Sequence, residues 1–314
     1  MTGATGYLGG WIAKRLVEGG FQVRALAREQ SNVMALTRLG VEVVTGDLGI
    51  DRSVAAAVEG VDVVVHAGAG TRGTPEDLYT ATVQGTRNIL DACRASNVRK
   101  LVYISSCSVY QTSGYMKNQI VTEDAQLERY PQRRGPYSAA KLRAETLVAE
   151  VMGRQGCPIV VLRLGTLCGP GSDPLAGMLG IALARRVFIV FGTGVAEMPL
   201  VHVRDAVDAI VACMLNSAAD NQVFNVVGQP VSKKSYVDLV VRPLYPRAAV
   251  IYCPMPLLTA LTWVQEKLFT AMGKPPLLSV YRLASSQKPV KYSAGKIERA
   301  IGWRSQARFD DRAG

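Results

Sequence analysis

The chain opens with a glycine-rich segment that restricts both its fold and its ligand. Residues 2–10 read TGATGYLGG, with glycines at positions 3, 6 and 9, and a helix-like stretch follows. Glycines at this spacing allow a tight turn, close approach of a pyrophosphate and close helix–strand packing, and the helix N-terminus then faces the phosphates. A strand over Phe21–Ala27, a helix and a strand over Val41–Thr45 supply the βαβ context that a lone glycine triplet needs. The pattern predicts a dinucleotide-binding α/β unit.

The glycine-rich segment lacks the apolar strand that normally precedes it, because only Met1 stands before Thr2. A doubly wound sheet without its central first strand would be strongly destabilised. We therefore expect the natural protein to begin upstream of Met1.

A tyrosine and a lysine one helical turn apart mark a second constrained segment. Pro136–Met152 carries apolar residues at three- and four-residue steps, which predicts an amphipathic helix. The side chains of Tyr137 and Lys141 can converge on one small volume. A nearby ammonium lowers the tyrosine pKa from about 10. Proton transfer near neutral pH needs a drop of roughly 3 units, about 4 kcal/mol, so a second positive group such as a nicotinamide ring should lie nearby.

The same pattern occurs twice in the chain. Tyr292–Lys296 reads YSAGK where residues 137–141 read YSAAK, so spacing alone does not identify a site. Position favours the first copy, because it follows the segment Lys100–Tyr110 along the chain. That segment contains an apolar strand with serines at its carboxyl end, and open α/β sheets bind ligands at this end of their strands. A strand over Val61–Val65 likewise leads into the small-residue loop His66–Ala69.

The end of the second strand bears on which dinucleotide binds. An NAD enzyme places a carboxylate there for the ribose hydroxyls. In this chain Ala27 supplies no carboxylate, and Arg28 could bind a 2′-phosphate through a charge-assisted bond. The sequence favours NADP(H), and NAD(H) stays possible because Glu29 follows.

Composition disfavours several classes of function. Only two histidines occur, His66 and His202, and the six cysteines contain no CxxC pair, so we expect neither a metal site nor a disulfide framework. Scattered thiols of this kind are typical of a cytoplasmic protein. The longest apolar runs, 175–191 and 250–264, are interrupted by arginines or prolines and fall short of the roughly 20 apolar residues of a spanning helix. We expect at most peripheral membrane contact.

The net charge of +11 is concentrated near the end of the chain, since residues 229–314 carry 14 Lys and Arg against 5 Asp and Glu. No nucleic-acid motif accompanies these charges, so nucleic acid is not an expected partner. The charges indicate a solvated basic surface or an anionic partner, such as a phosphorylated substrate, an acyl carrier or an acidic membrane surface.

Eight segments occur in the order and spacing of a known family. They are TGATGYLGG, GDL, HAGA, YISSCSVY, PYSAAK, LRLGTLCGPG, PLVHVRDAVDAI and FNVVG. Together they resemble the extended short-chain dehydrogenase/reductases, the superfamily of NAD-dependent epimerases and dehydratases, over nearly the whole chain. The resemblance implies an α/β fold, a Rossmann-type doubly wound parallel sheet with a smaller C-terminal substrate lobe. Residues 1–165, with 200–228, would form the dinucleotide-binding lobe, and residues 166–199 and 229–314 the substrate-binding lobe.

The resemblance also implies a small-molecule substrate, a homodimer formed through the helix that carries Tyr137, and a set of site residues. The family's catalytic serine, tyrosine and lysine fall on Ser106, Tyr137 and Lys141, and Tyr292 falls in a segment similar to the terminal structural helix. The expected cofactor-binding residues, which include the family's adenine-contacting aspartate at position 47, are Gly3, Thr5, Gly6, Tyr7, Leu8, Gly9, Arg28, Asp47, Leu48, His66, Ala67, Gly68, Ser105, Tyr137, Lys141, Leu164 and Gly165.

Two positions and the C-terminal segment indicate the branch of the family. Sugar-nucleotide members usually carry an asparagine where Thr166 stands and a diphosphate-binding arginine where Met198 stands. Each lost charge-assisted bond would cost about 1.5–3 kcal/mol. Residues 253–303 are similar to the 3β-hydroxysteroid and sterol dehydrogenases and, more loosely, to dihydroflavonol reductases. These features predict an NAD(P)-dependent oxidoreductase that interconverts an alcohol and a ketone on a largely apolar small molecule.

Two alternatives stay open. A nucleotide-sugar epimerase or dehydratase with tightly bound NAD fits the basic C-terminal region, although Thr166 and Met198 disfavour it. A cofactor-sensing or assembly protein without chemistry is disfavoured, because such proteins typically lose the tyrosine or the lysine.

An apolar stripe at helical spacing leaves two interpretations for the C-terminal third. It comprises Leu257, Leu258, Leu261, Val264, Leu268 and Met272. It predicts either a helix packed on a sheet, or the wall of an apolar substrate pocket that also touches a membrane, with Lys267 and Lys274 facing acidic lipid.

Overall fold

The computed structural model describes residues 1–71, 73–154, 156–174 and 178–307. The strands are β1 Arg24–Ala27, β2 Glu42–Thr45, β3 Val63–His66, β4 Lys100–Ser106, β5 Ile120–Val121, β6 Ile159–Leu164, β7 Thr166–Cys168, β8 Gly180–Leu183, β9 Val187–Phe191, β10 Glu197–Met198, β11 Leu200–His202, β12 Val223–Val226, β13 Val231–Ser232, β14 Ala249–Cys253 and β15 Lys291–Tyr292.

The helices connect these strands. The α-helices are α1 Tyr7–Glu18, α2 Met34–Arg38, α3 Asp51–Val58, α4 Pro75–Tyr79, α5 Gly85–Ala95, α6 Pro131–Arg134, α7 Pro136–Val151, α8 Val203–Leu215, α9 Lys233–Tyr236, α10 Arg242–Leu244, α11 Met255–Ala271, α12 Val280–Ser286 and α13 Gly295–Ile301. π-Helical turns lie at Thr80–Gln84 and Val237–Val241, and 3₁₀ turns at Cys107–Val109 and Ser217–Ala219.

A parallel sheet forms the centre of the molecule. β12, β6, β4 and β3 pair in this order, and β1 pairs with β2, all in parallel. Thr2 forms parallel bridges with Leu26 of β1 and His66 of β3, and so joins the two groups of strands. The Thr2 N–H donates to the Val65 carbonyl at 3.0 Å, and the Leu26 N–H donates to the Met1 carbonyl at 3.0 Å. Met1 and Thr2 therefore stand where the central first strand would lie.

Helices cover both faces of this sheet, because alternate residues of each strand enter different cores. Val102 and Ile104 of β4 pack in a cluster that includes residues of α1 and α8. Leu101 and Tyr103 pack in a second cluster with residues of α3, α5 and α7. Burial on both faces explains the near-continuous apolar sequence of the strands. The predicted fold class, a Rossmann-type doubly wound parallel sheet, is confirmed.

The observed elements differ from the predicted ones mainly at their ends. The helix predicted over Pro136–Met152 ends one residue early, at Val151, whereas the first predicted strand begins three residues late, at Arg24. The Phe21 N–H donates to the Leu16 carbonyl at 3.0 Å, which closes the end of α1 and keeps Phe21 out of the sheet. The π-helical turn Thr80–Gln84 leads directly into α5.

A smaller sheet is built from later parts of the chain. β8, β9 and β14 pair in the order β14-β9-β8, and their inner side packs in a cluster that contains Phe188, Val190 and Tyr236. β11 pairs in parallel with β7, so the segment after β6 lies beside the strand that leads into α8. The division into two lobes stays a prediction. Positions 72, 155, 175–177 and 308–314 of the predicted lobes lie outside the described residues.

The described part of the chain contains no helix that is long and apolar enough to cross a membrane.

The close contact between α1 and the glycine turn predicts different effects for two adjacent glycines. A Cβ at Gly9 would lie 1.9 Å from the Gly3 carbonyl oxygen, whereas at Gly10 the nearest atom would be 3.8 Å away. We expect Gly9→Ala to lower the free energy of unfolding by about 2 kcal/mol, because the backbone must shift. Gly10→Ala should be neutral or slightly stabilising, because alanine favours helix. Denaturant titration measures both, and equal midpoints for the two variants would contradict the expectation.

Candidate active site

Ser106, Tyr137 and Lys141 come together at the carboxyl end of β4. Ser106 is the last residue of β4, and the other two lie in the first turns of α7. The Ser106 hydroxyl lies close enough to the Tyr137 phenol to affect its protonation. The Lys141 ammonium is buried and donates to the Ile104 carbonyl of β4 at 2.8 Å. The three side chains that the sequence predicted as catalytic therefore share one site.

Burial dominates the protonation of this site. It raises the pKa of the Tyr137 phenol, and the nearby Ser106 hydroxyl only partly opposes the rise. Burial also lowers the pKa of the Lys141 ammonium to about 8, against the pull of the nearby Glu145 carboxylate. The direction for Tyr137 is opposite to the one that the Tyr–Lys spacing suggested, because desolvation penalises the phenolate. The protein's own groups thus favour a protonated phenol.

A buried ion pair fixes α7 to the sheet, and the sequence reasoning missed it. Glu145 lies one turn after Lys141 and accepts two hydrogen bonds from the Arg163 guanidinium of β6, at 2.6 and 2.9 Å. Its second oxygen accepts a hydrogen bond from the Ser105 hydroxyl of β4. The spacing of Lys141 and Glu145 on one helical face was a signal that could have identified Glu145.

The Arg163 guanidinium extends this network away from the site. It donates to the Tyr110 hydroxyl at 2.7 Å and to the Glu123 carbonyl at 2.9 Å, and Tyr110 donates to the Asn225 side chain at 2.6 Å. Its planar donors match several acceptors at once. One arginine thereby ties α7, the segment after β4 and β12 together.

The second Tyr–Lys copy takes part in packing. The Tyr292 ring lies 5.9 Å from the Tyr110 ring, and its strand β15 pairs with β5. Lys296 lies over the Phe224 ring, 5.5 Å from its centre. The two side chains thus contact different partners, as expected for a structural segment.

The residues predicted to bind the dinucleotide lie at the carboxyl ends of the parallel strands. Ala67 and Gly68 follow β3, Ser105 lies at the end of β4, and Leu164 and Gly165 lie at the end of β6. Carboxyl ends of parallel strands form one edge of a sheet, which is where such folds bind ligands. The predicted residues of the first turn, Thr5 to Gly9, lie before and within the start of α1.

The glycine turn has the shape that a pyrophosphate requires. Gly3 has φ +73°, a conformation that side chains disfavour, and a Cβ there would lie 2.7 Å from the Gly68 nitrogen. The N-cap residue of α1, Gly6, has no side chain to cap the helix, and the first turn of α1 carries no acidic residue. The backbone N–H groups of this turn are therefore available to an anion. These residues fit a dinucleotide.

His66 was predicted as a cofactor-binding residue, but its side chain is fully buried. Its Nδ1 lies 2.7 Å from the Thr2 hydroxyl and its Nε2 lies 3.0 Å from the Thr86 hydroxyl. Burial, with further lowering from Lys141, brings the pKa of the ring to about 3. Because the imidazole is neutral and enclosed, only the backbone of His66 is available to a ligand.

The predicted adenine-side residues follow β1 and β2. Arg28 is exposed immediately after β1. The Asp47 carboxylate accepts the Gly49 N–H at 2.7 Å, and the Leu48 carbonyl accepts from the Asn88 side chain at 2.7 Å. These hydrogen bonds fix the Asp47–Leu48 turn, while Arg28 is open to solvent.

The two positions that the sequence singled out for the substrate branch carry uncharged side chains in packed surroundings. The Thr166 hydroxyl contacts the Met178 sulfur at 3.3 Å. Met198 is 3% exposed and packs in the cluster with Phe188 and Leu200. Position 198 is thus part of a hydrophobic core.

Comparison with known proteins assigns the family. The model of the NAD dependent epimerase/dehydratase family matches residues 1–227. The chain belongs to this family. It is an NAD(P)-dependent enzyme of the extended short-chain dehydrogenase/reductase type, which confirms the resemblance seen in the sequence.

Relatives and a solved structure extend the similarity along the chain. The chain is 32% identical over 208 residues to the 2-alkyl-3-oxoalkanoate reductase of Stenotrophomonas maltophilia (strain K279a), covering 66% of this chain and 62% of that protein. It is 26% identical over 310 residues to the 4-hydroxy-2-methyl-3-oxo-4-farnesyl-3,4-dihydroquinoline-1-oxide ketoreductase of Stigmatella aurantiaca, covering 96% and 90%. The structure named "Crystal structure of gox2253" has a TM-score of 0.80 at 24% identity, covering 98% and 93%, and shows the same fold.

The Glu145–Arg163 pair makes a testable contribution to stability. We expect Glu145→Gln to lower the free energy of unfolding by about 3–5 kcal/mol, because the buried Arg163 guanidinium would lose its carboxylate. Glu150→Gln, an exposed position on the same helix, is the matched control and should change stability by less than about 0.5 kcal/mol. Denaturant unfolding measures both variants, and a small effect at both positions would rule out the proposed importance of the pair.

Proposed function

We propose that this NAD(P)-dependent oxidoreductase interconverts an alcohol and a ketone on a largely apolar small molecule, with Ser106, Tyr137 and Lys141 as catalytic residues. The observation that carries the proposal is that Ser106, Tyr137 and the buried Lys141 meet at the carboxyl end of β4, the ligand-binding edge of the sheet. The bound nicotinamide would supply or accept the hydride.

The side chains have distinct roles in this proposal. In the reductive direction Tyr137 donates its phenolic proton to the substrate oxygen as that oxygen gains charge. The Ser106 hydroxyl donates a hydrogen bond to the same oxygen and holds it within reach. Lys141 stabilises the phenolate that remains. Because burial raises the pKa of Tyr137, the phenol is protonated at neutral pH, which suits carbonyl reduction.

The apolar substrate class is supported by the side chains at positions 166 and 198 and by the relatives. Met198 occupies a core position where sugar-nucleotide enzymes place an arginine, and Thr166 replaces their asparagine. The names of the two relatives describe reduction of an alkyl-substituted oxoalkanoate and of a farnesylated quinoline oxide. Both substrates carry a ketone beside a large apolar group, and we infer the same for this chain.

A nucleotide-sugar epimerase or dehydratase is the second candidate. The excess of positive charge in residues 229–314 favours it, because a diphosphate would be attracted there. Such an enzyme keeps its NAD bound and consumes no net NAD(P)H. Tightly held NAD(H) in the purified protein would support this candidate, and exchangeable NADPH would support the reductase.

We infer that two copies associate through α7, as the family resemblance implies. The outer side of α7 contributes Pro136, Ala139 and Arg143 to a groove of about 670 Å³ that also includes Tyr79. A second copy would cover this groove and leave the Tyr137 side of the helix facing the site.

The two Tyr–Lys copies provide a matched test of the catalytic assignment. Tyr137→Phe should bind NADPH normally but lose kcat by on the order of 10²–10⁴, because the proton donor is gone. Tyr292→Phe should retain its turnover, since Tyr292 packs against Tyr110. The assay follows NADPH oxidation with a panel of apolar ketones. Turnover by Tyr137→Phe close to that of the unaltered protein would refute the assignment.

Arg28 tests the choice of cofactor. We propose that the Arg28 guanidinium binds the 2′-phosphate of NADP(H), because it is exposed directly after β1. Arg28→Ala should weaken NADPH binding roughly ten- to a hundredfold, the equivalent of about 1.5–3 kcal/mol, and leave NADH binding unchanged. Arg38→Ala, exposed on α2, is the control. Fluorescence titration with both nucleotides measures the affinities, and equal losses for NADPH and NADH would contradict the role.

A further inference from the structure

Helix α11 exposes an apolar surface that the proposed chemistry does not use. Five of its side chains recur at three- and four-residue steps, Trp263 lies to one side of them, and each of the six is 47–58% exposed. This α11 surface consists of Leu257, Leu261, Trp263, Val264, Leu268 and Met272. The buried residues of the helix are Leu258 and Thr262 alone. The interpretation in which the whole stripe packs on a sheet is therefore wrong for every member except Leu258.

The opposite side of α11 is fastened to the rest of the protein. Leu258 packs with Phe191 and Leu283. The Gln265 side chain accepts the Leu278 N–H at 3.0 Å, and the Glu266 carboxylate accepts the Val280 N–H at 2.9 Å. Rotation of the helix would break these contacts, so the apolar surface stays directed outward.

The segment that contains this surface is rich in positive charge. Between Asp238 and Glu298 the sequence contains a single acidic residue, Glu266, and eight Lys or Arg residues. The Glu266 carboxylate is engaged with the Val280 backbone, while Lys267 and Lys274 are exposed beside the apolar surface. An apolar helix face with tryptophan and lysine at its edge is typical of helices that lie in the plane of a membrane.

We propose that the α11 surface docks on an anionic lipid bilayer, with the helix parallel to the membrane plane. A helix of 17 residues with one apolar face cannot cross a bilayer but can bury that face at the headgroup boundary. Lipid fits better than a second copy, because residues 239–297 offer no further carboxylate to meet their own positive charges. Anionic headgroups supply that complement. Such docking would let an apolar substrate reach the protein from the membrane.

Vesicle sedimentation of the full chain tests the proposal independently of enzyme activity. The unaltered protein should sediment with phosphatidylcholine vesicles that contain phosphatidylglycerol, and less with phosphatidylcholine alone. The double variant Leu261→Glu/Leu268→Glu should bind at least about tenfold more weakly, because charge replaces the buried apolar contacts. The matched control, Met34→Glu/Leu215→Glu, changes two residues of similar exposure on α2 and α8 and should bind normally. Lys267→Gln/Lys274→Gln should lose only the preference for the anionic vesicles.

Three results would overturn the proposal. The first is an unaltered protein that stays in the supernatant with both kinds of vesicle. The second is a loss of vesicle binding in the control Met34→Glu/Leu215→Glu that equals the loss in Leu261→Glu/Leu268→Glu, when thermal unfolding shows that both variants are folded. The third is a result in which the unaltered protein binds no vesicles, while light scattering shows it as a dimer and Leu261→Glu/Leu268→Glu as a monomer. That result would assign the surface to a second copy of the chain.

Discussion

The buried ion pair between Glu145 and Arg163 is the contact on which the arrangement of the site depends. It joins the helix that carries Tyr137 and Lys141 to the strand β6, and the Ser105 hydrogen bond to Glu145 joins the same helix to β4. A charge pair with both members enclosed is stable only when its remaining polar atoms are also satisfied. Ser105, Tyr110 and the Glu123 backbone meet that condition. The position of Tyr137 relative to Ser106 follows from this network.

The same burial sets the chemistry of the site. Desolvation raises the pKa of Tyr137 and lowers the pKa of Lys141 to about 8, so both shifts move the pair toward its uncharged forms. The nearby Glu145 carboxylate opposes the shift of the Lys141 pKa. His66, held neutral between two threonines, adds no positive charge. A phenol that keeps its proton, next to a lysine that can stabilise the phenolate, is suited to donating a proton to a carbonyl.

Much of the fold and of the candidate site could be predicted from local patterns. Three- and four-residue periodicity predicted α7 to within one residue of its observed end, because its buried residues lie on one face of a regular helix. Strand ends were harder to predict, since the exclusion of Phe21 from the sheet depends on a hydrogen bond that closes the preceding helix. The apolar stripe of α11 was ambiguous for the same reason. Its spacing predicted a helix, but the direction of its apolar face depends on contacts of Leu258, Gln265 and Glu266 with distant segments.

The sequence by itself determined the dinucleotide fold, the glycine turn and the candidates Ser106, Tyr137 and Lys141, because these depend on short spacings along one strand or helix. The sequence also favoured Tyr137 over Tyr292 by position, and only the tertiary structure showed the partner of Tyr292, which packs on Tyr110. The tertiary structure also decided the direction of the pKa shift of Tyr137 and revealed the partner of Glu145. Desolvation and ion pairing between distant residues depend on enclosure in three dimensions, and residue spacing carries no record of that enclosure.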